Sequence, residues 1–343
     1  MKPSELTELL KASLINVTLK PGESRLSAMV WGAPGIGKSQ IIKQLAEEHD
    51  YRFLDIRLSQ MGPEDMQGVP FVVVEDSEKR TAWGTPLMYP KEGDKKTLMF
   101  FDEITHAPPA VRKSAFQIIL DRQIGQHKFP EDTVIVAAGN RVEDRSGAQE
   151  MELALKNRFM HCNLEVDRDD WASWWVKNDR DSRILSFLRA FPSHLHDMPE
   201  GATSENAFPS PRTWDFASQI IRTVPKHLRL QALKGTVGAG PAKELEVHLR
   251  TELPDMEKLL AEPWSFKPPE DRSVMYAIAN ALTTYVTRAT IQGFCDIAEQ
   301  LASINHQQDF AVTMTRDLFI NKPELTQTSS YIAWAAKHKH LVI

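Results

Sequence analysis

The chain of 343 residues has little cysteine: Cys162 and Cys295 are its only two. Two thiols supply neither a disulfide framework nor a metal-ligand cluster, and they fit a reducing compartment. No apolar run approaches the roughly 18 residues that a membrane span needs, and the amino-terminal Met-Lys-Pro-Ser-Glu-Leu lacks the apolar core of a secretory signal. A cytoplasmic protein with no membrane segment is the expectation. Internal repeats and low-complexity tracts are missing too, which excludes solenoids and linker-like chains. Positive charge is in deficit: 41 Lys and Arg stand against 46 Asp and Glu, a formal net charge of −5. With no Lys/Arg-rich stripe, a broad nucleic-acid surface is disfavoured, although a local basic patch is not. What is left, 42% hydrophobic and 25% charged, is ordinary globular composition, and the length suggests two domains.

Against this plain background one octet stands out. Gly32-Ala33-Pro34-Gly35-Ile36-Gly37-Lys38-Ser39 fits G-x-x-x-x-G-K-[ST] at every fixed position, which chance would produce at roughly one position in tens of thousands. Its surroundings are those the motif requires, because residues 26–31 read as a short buried strand and 39–48 as a helix. Three glycines let successive N–H groups point into one concavity, and the helix start adds partial positive charge. Lys38 would reach the β- and γ-phosphates of a nucleotide, and the Ser39 hydroxyl would hold Mg²⁺.

Residues 97–101 form a second buried strand, and Asp102 and Glu103 sit at its carboxyl end, where open α/β sheets bind ligands. Asp102 would position Mg²⁺, usually through water, and Glu103 would orient and polarise the attacking water. An apolar run ending in Asp-Glu is also a common strand terminus; the phosphate loop upstream favours the chemical reading. Residues 133–138 form a further strand ending in Gly139-Asn140, where Asn140 can bond the γ-phosphate or the water, or merely end the strand as asparagine often does. Other expected strands cover 51–58 and 159–166. Residues 71–75 and 80–83 predict a projecting hairpin whose Phe71 and Trp83 either stabilise it or touch a partner. Residues 123–129 predict a smaller hairpin-like excursion. Ser4 would cap a helix over 5–14, and a helix would start at Pro108 or Pro109 and run to about Leu120.

After Asp167 the texture becomes helical and rich in tryptophan, with Trp171, Trp174 and Trp175 expected in a helix–helix or interdomain core. Helices are expected over 184–191, 213–224, 273–291 and 293–304. A flexible link is expected from Gly235, and a solvated tail at Lys337-His338-Lys339-His340 rather than a metal site. Arg145 and Arg158 are arginines of a kind usually just solvated. Arg212 instead opens a helix, where the macrodipole does not favour a cation, which hints at an anionic ligand.

Taken in this order, over about residues 25–220, these landmarks resemble an AAA+ ATPase of the MoxR type. Residues 32–39 match Walker A, 98–103 Walker B, Asn140 sensor 1, and Arg212 in Ser-Pro-Arg-Thr-Trp sensor 2. Asn157-Arg158-Phe159 resembles the arginine-finger segment, with Arg145 a rival for the role. Residues 68–89 fall where the family inserts a β-hairpin in helix 2, and 123–129 where a hairpin precedes sensor 1. Thr105-His106 departs from the family's Asn-Arg. The resemblance implies an α/β core over 1–166, a parallel P-loop sheet flanked by helices, followed by an all-helical lid over 167–235 and a helical extension over 236–343. It also implies ATP and Mg²⁺ as ligands, and ATP hydrolysis that remodels a protein partner, frequently one with a von Willebrand factor A domain. The assembly implied is a homo-oligomeric ring, usually a hexamer. A nucleotide-gated scaffold with little turnover is the alternative, followed by a nucleic-acid motor.

Overall fold

The computed structural model describes residues 1–343 except 19, 21, 22, 24, 76, 77, 145–150, 152, 200–206, 340, 342 and 343. The chain divides into two compact units, Met1–Asp167 and Arg168–Ile343.

In the first unit, α1 (Pro3–Leu10) continues into a π-helical turn (Lys11–Ile15) and is followed by β1 (Ser27–Trp31), α2 (Lys38–Glu48), β2 (Arg52–Arg57) and α3 (Pro63–Gln67). Then come β3 (Val69–Glu75), β4 (Glu78–Gly84), β5 (Thr97–Asp102), α4 (Pro109–Asp121), β6 (Gln123–Ile124) and β7 (His127–Lys128). The unit closes with β8 (Val134–Gly139), α5 (Leu153–Lys156) and β9 (Phe159–Asn163). Five strands form one parallel sheet in the order β2-β5-β8-β1-β9. Helices cover both of its faces, so the middles of the central strands are continuously apolar rather than alternating. Along β1 and β5, Met29, Met99 and Phe101 pack towards Val111, Ala115 and Ile118 of α4. Their neighbours Ala28, Val30, Leu98 and Phe100 point the other way, onto Ile42 and Leu45 of α2 and Leu6 and Leu10 of α1.

The hairpin expected between residues 71 and 83 is present as β3–β4, longer at both ends and paired from Val69–Gly84 to Glu75–Glu78. Much of its apolar surface faces solvent: Phe71 is 50% exposed, Val72 66%, Val74 68% and Trp83 43%. The smaller excursion is the β6–β7 pair. Ser4, by contrast, does not cap the first helix. Pro3, whose fixed φ suits a first helical position, starts it earlier, and the Glu5 carboxylate accepts from the Lys2 N–H at 2.9 Å.

The second unit is helical among its described residues: α6 (Arg168–Lys177), α7 (Ser182–Ala190), α8 (Pro211–Thr223), α9 (Lys226–Val237), α10 (Ala239–His248), α11 (Met256–Ala261), α12 (Arg272–Tyr285), α13 (Ile291–Ser303), α14 (Gln308–Asn321) and α15 (Ser329–Lys337). Trp171 and Trp175 are buried, with ring centroids 4.6 Å apart, and the Trp175 indole N–H donates to the Asp181 carbonyl at 2.9 Å. Helix α7 packs on α12, Arg189 donates to both carboxylate oxygens of Asp317 at 2.5 and 2.7 Å, and His248 lies between the hydroxyls of Ser186 and Ser273 at 2.8 and 2.9 Å. No helix among the described residues is long and apolar enough to cross a membrane.

Three expectations for this unit are corrected. No flexible link begins at Gly235: α9 runs through it to Val237, and the only break is Gly238, whose φ of 91° suits glycine and reverses the chain into α10. The helix expected over 273–291 stops at Tyr285, and the one expected over 293–304 is α13, which starts at Ile291. Asp271 caps α12, accepting from the Ser273 N–H at 2.7 Å, but the β-branched and aromatic run from Thr283 to Thr287 favours extended backbone, and the Thr287 N–H donates to the Thr290 hydroxyl at 3.0 Å in the turn before α13. The tail is docked rather than solvated as far as His338. Lys337 and His338 both bond the Glu299 carboxylate, and His338 stacks on Trp334 with centroids 5.1 Å apart. His340 lies outside the described residues.

Candidate nucleotide-binding site

In a parallel sheet every strand delivers its next residue to the same edge. The register pairs Trp31 with both Gly139 and Asn163, Phe101 with Ala137, and Arg57 with Asp102. The residues that follow β1, β5 and β8 therefore emerge side by side. These are the glycine-rich octet, Glu103 and Asn140.

The octet makes the turn its composition demands. Gly35 and Gly37 have φ of 80° and 96°, conformations that a side chain would strain, and Gly37 caps α2. Lys38 and Ser39 thus occupy the first turn of α2, where helix geometry turns backbone N–H groups outward in a way that suits an anion. Gly32 is needed for space rather than conformation: a methyl group there would lie 2.5 Å from Ile36 Cδ1 and 2.9 Å from the Leu164 carbonyl oxygen. Since backbone cannot swing aside as a side-chain tip does, Gly32→Ala is expected to cost about 1–3 kcal/mol of loop packing. That corresponds to a roughly 5- to 150-fold weaker ATP affinity, to be measured by equilibrium titration.

Lys38 is buried, and its Nζ donates to the Gly32 carbonyl at 2.6 Å, the Ala33 carbonyl at 3.0 Å and the Asn140 Oδ1 at 2.8 Å. Its three hydrogens are thereby aimed at the loop and at the end of β8. The Ser39 hydroxyl donates to Asp102 Oδ2 at 2.9 Å. Asp102 Oδ1 accepts from the Glu103 N–H at 2.9 Å, and Glu103 has a left-handed φ of 56° that turns it out of the strand. Thr105 is buried against Gly139, so the Thr-His pair that departs from the resemblance begins with a packing residue.

Two neighbours of the acids escaped the sequence reading. The Ser59 hydroxyl bonds the Glu103 carboxylate. Asp55, on β2, has its carboxyl raised above the ordinary range by burial and by the nearby Asp102 charge, with Arg57 opposing. Both reach the site because β2 pairs with β5, although 39 residues of other structure separate the two strands. Nothing local marks them: one serine after a strand and one aspartate within it are commonplace.

The three arginines are placed differently. Arg158 is exposed and immediately precedes β9, whose Phe159 pairs with Ser27 at the amino end of the sheet. Five residues of strand, roughly 16 Å at 3.3 Å each, separate that end from the edge bearing the octet. Arg158 is not brought to its own chain's site. Arg212 is exposed in the first turn of α8, in the second unit, where Ser210 caps the helix by accepting from the Thr213 N–H at 3.3 Å. Arg145 lies outside the described residues.

This fold is an AAA+ core, a parallel five-stranded sheet flanked by helices, with a helical C-terminal region. Within it, residues 27–159 match the family model of the AAA domain, dynein-related subfamily. No curated protein matches the chain. Among solved structures it is similar to the RuvB Holliday junction branch migration motor of Thermotoga maritima, at 17% identity over 82% of this chain and 80% of that one, with a TM-score of 0.37. It is also similar to a DNA polymerase III gamma subunit-related protein of the same organism, at 11% identity over 98% of each chain, with a TM-score of 0.37.

Proposed function

We propose that the chain is a MoxR-type ATPase that hydrolyses ATP to ADP and phosphate as a homo-oligomeric ring, by resemblance a hexamer, and uses the movement to remodel a protein partner. The observation that carries this reading is the convergence of Lys38, Ser39, Asp102, Glu103 and Asn140 from three strand ends onto one glycine turn. On nucleotide binding Lys38 exchanges its carbonyl partners for phosphate oxygens, and Asn140, already bonded to Lys38, is in reach of the terminal phosphate. Glu103 takes the proton of the attacking water. The Ser39 hydroxyl and Asp102 carboxylate, in contact, are the hard oxygen donors that suit Mg²⁺, which when bound neutralises phosphate charge.

Arg158, remote from its own site and exposed, is suited to serve the nucleotide of a neighbouring subunit, where a cation stabilises charge on the transferred phosphoryl group. Residues 167–235 act as the lid, with Arg212 sensing the nucleotide, and 236–343 carry the partner-specific surface. The exposed apolar residues of the β3–β4 hairpin favour its use as a contact for the partner, a protein for which a von Willebrand factor A domain is the first candidate.

The test is phosphate release measured against protein concentration. Arg158→Ala is expected to lower the rate of the assembled form about 10³-fold or more while leaving the rate at high dilution unchanged. If hydrolysis by the assembled form survives in Arg158→Ala, the shared site is wrong; if only Arg145→Ala abolishes it, the finger is Arg145. A chain that binds ATP and assembles without releasing phosphate is the nucleotide-gated scaffold instead.

A further inference from the structure

We propose that His161 is a positioning residue that couples the entrance of the phosphate loop to the turn that presents Arg158. The proposal rests on the reading of Arg158 given above, and it assigns a role to a side chain outside the nucleotide site.

The geometry leaves His161 little choice. Trp31, the last residue of β1 before Gly32, donates its indole N–H to His161 Nδ1 at 2.8 Å. An indole nitrogen can only donate, so Nδ1 must be bare. The hydrogen of the neutral ring therefore sits on Nε2, which donates to the Lys156 carbonyl at 2.7 Å. A carbonyl can only accept, so both partners demand the same tautomer. The rings of Trp31 and His161 are nearly parallel, 12° apart with centroids at 6.0 Å, which holds the imidazole plane in line with both bonds.

Each end of this bridge touches something that matters. Lys156 ends α5, a helix of four residues, so its carbonyl lies at the helix terminus. The chain then turns at once: the Asn157 N–H donates to the Leu153 carbonyl at 3.3 Å and the Arg158 N–H to the Leu155 carbonyl at 3.0 Å. His161 thus pins the carbonyl two residues before Arg158. At the other end Trp31 adjoins Gly32, whose carbonyl accepts from Lys38 at 2.6 Å. A triphosphate that draws Lys38 away shifts the Gly32 peptide, and the bridge passes that shift to the Arg158 turn. His161 itself is exposed on the edge strand, so it contributes little to the core, and packing alone does not account for two directed bonds.

The experiment uses the full chain in four variants. His161→Phe keeps a flat ring but neither bond, His161→Gln keeps one acceptor and one donor, Trp31→Phe removes only the indole donor, and Arg158→Ala removes the finger. ATP affinity, assembly by sedimentation, and kcat with its dependence on ATP concentration are measured for each. His161→Phe and Trp31→Phe are expected to bind ATP and assemble within about twofold of the unaltered chain, while kcat of the assembled form falls about fivefold, the scale of one hydrogen bond. Sigmoidal ATP dependence is expected to flatten in both. His161→Gln is expected to recover kcat. If His161→Phe does not fold, Trp31→Phe carries the test. The proposal is overturned if Arg158→Ala is inactive yet both bridge variants turn over normally, or if His161→Gln fails as badly as His161→Phe. An active Arg158→Ala overturns the parent reading, and this one with it.

Discussion

Replacing Glu103 by Gln is expected to cut phosphate release about 10²- to 10⁴-fold, the usual contribution of a general base, while ATP binding and assembly persist. The amide is nearly isosteric with the carboxylate and can still bond the Ser59 hydroxyl, so the left-handed turn after Asp102 has no reason to rearrange. What the amide cannot do is take a proton from water. Groups proposed to hold the triphosphate are elsewhere: Lys38 is fixed by the loop carbonyls and Asn140, and Ser39 by Asp102. Binding and turnover should therefore separate cleanly, with affinity from equilibrium titration unchanged and phosphate release lost in the same preparation. Undiminished hydrolysis would remove Glu103 from the base role. A variant held in the ATP state also gives the best means of capturing a partner for identification by mass spectrometry.

The parts of the site that were legible in the sequence are those set by local rules. Gly35, Gly37 and Lys38 announce themselves because a left-handed turn into a helix admits few residues, and Asp102 and Asn140 because apolar runs end at them. Ser59 and Asp55 stayed hidden because their proximity to Glu103 depends on which strand lies beside β5, a matter of sheet order rather than of spacing. The same division holds in the helical unit. The helix start at Arg212 was readable, whereas Gly235 looked like a break and is helical, the reversal being left to Gly238 three residues on. A composition rich in glycine shows that a turn is possible nearby; only packing decides which glycine makes it. In α9 and α10 that packing includes a buried ion pair.

Removing one member of that pair should have the largest effect on stability. Glu246 and Arg229 are each only 7% exposed; the guanidinium donates to Glu246 from Nε at 3.0 Å and Nη2 at 2.9 Å, and Arg250 adds a longer bond at 3.3 Å. Glu246→Ala strands the Arg229 charge between two helices, which is expected to cost about 3–5 kcal/mol and to lower the melting temperature by about 10 °C. Replacing both residues by apolar ones of similar volume should cost far less, because no charge is then left buried. Acid should act in the same direction. The Arg229 bond holds the Glu246 carboxyl below its ordinary 4.5, so the pair stabilises the fold above that pH and the contribution is lost as pH falls through the lowered value. Burial lowers His248 from 6.5 to about 4, so below pH 6.5 the unfolded chain takes up a proton that the folded chain refuses, and stability declines down to about pH 4. Urea unfolding followed by tryptophan fluorescence should therefore show loss beginning near pH 6.5. In Glu246→Ala the decline from His248 should remain while the step below pH 4.5 shrinks to the part set by Glu299, whose carboxyl the Lys337 bond also holds low, and an unchanged acid limb in that variant would show that the Arg229–Glu246 pair does not stabilise the helical unit.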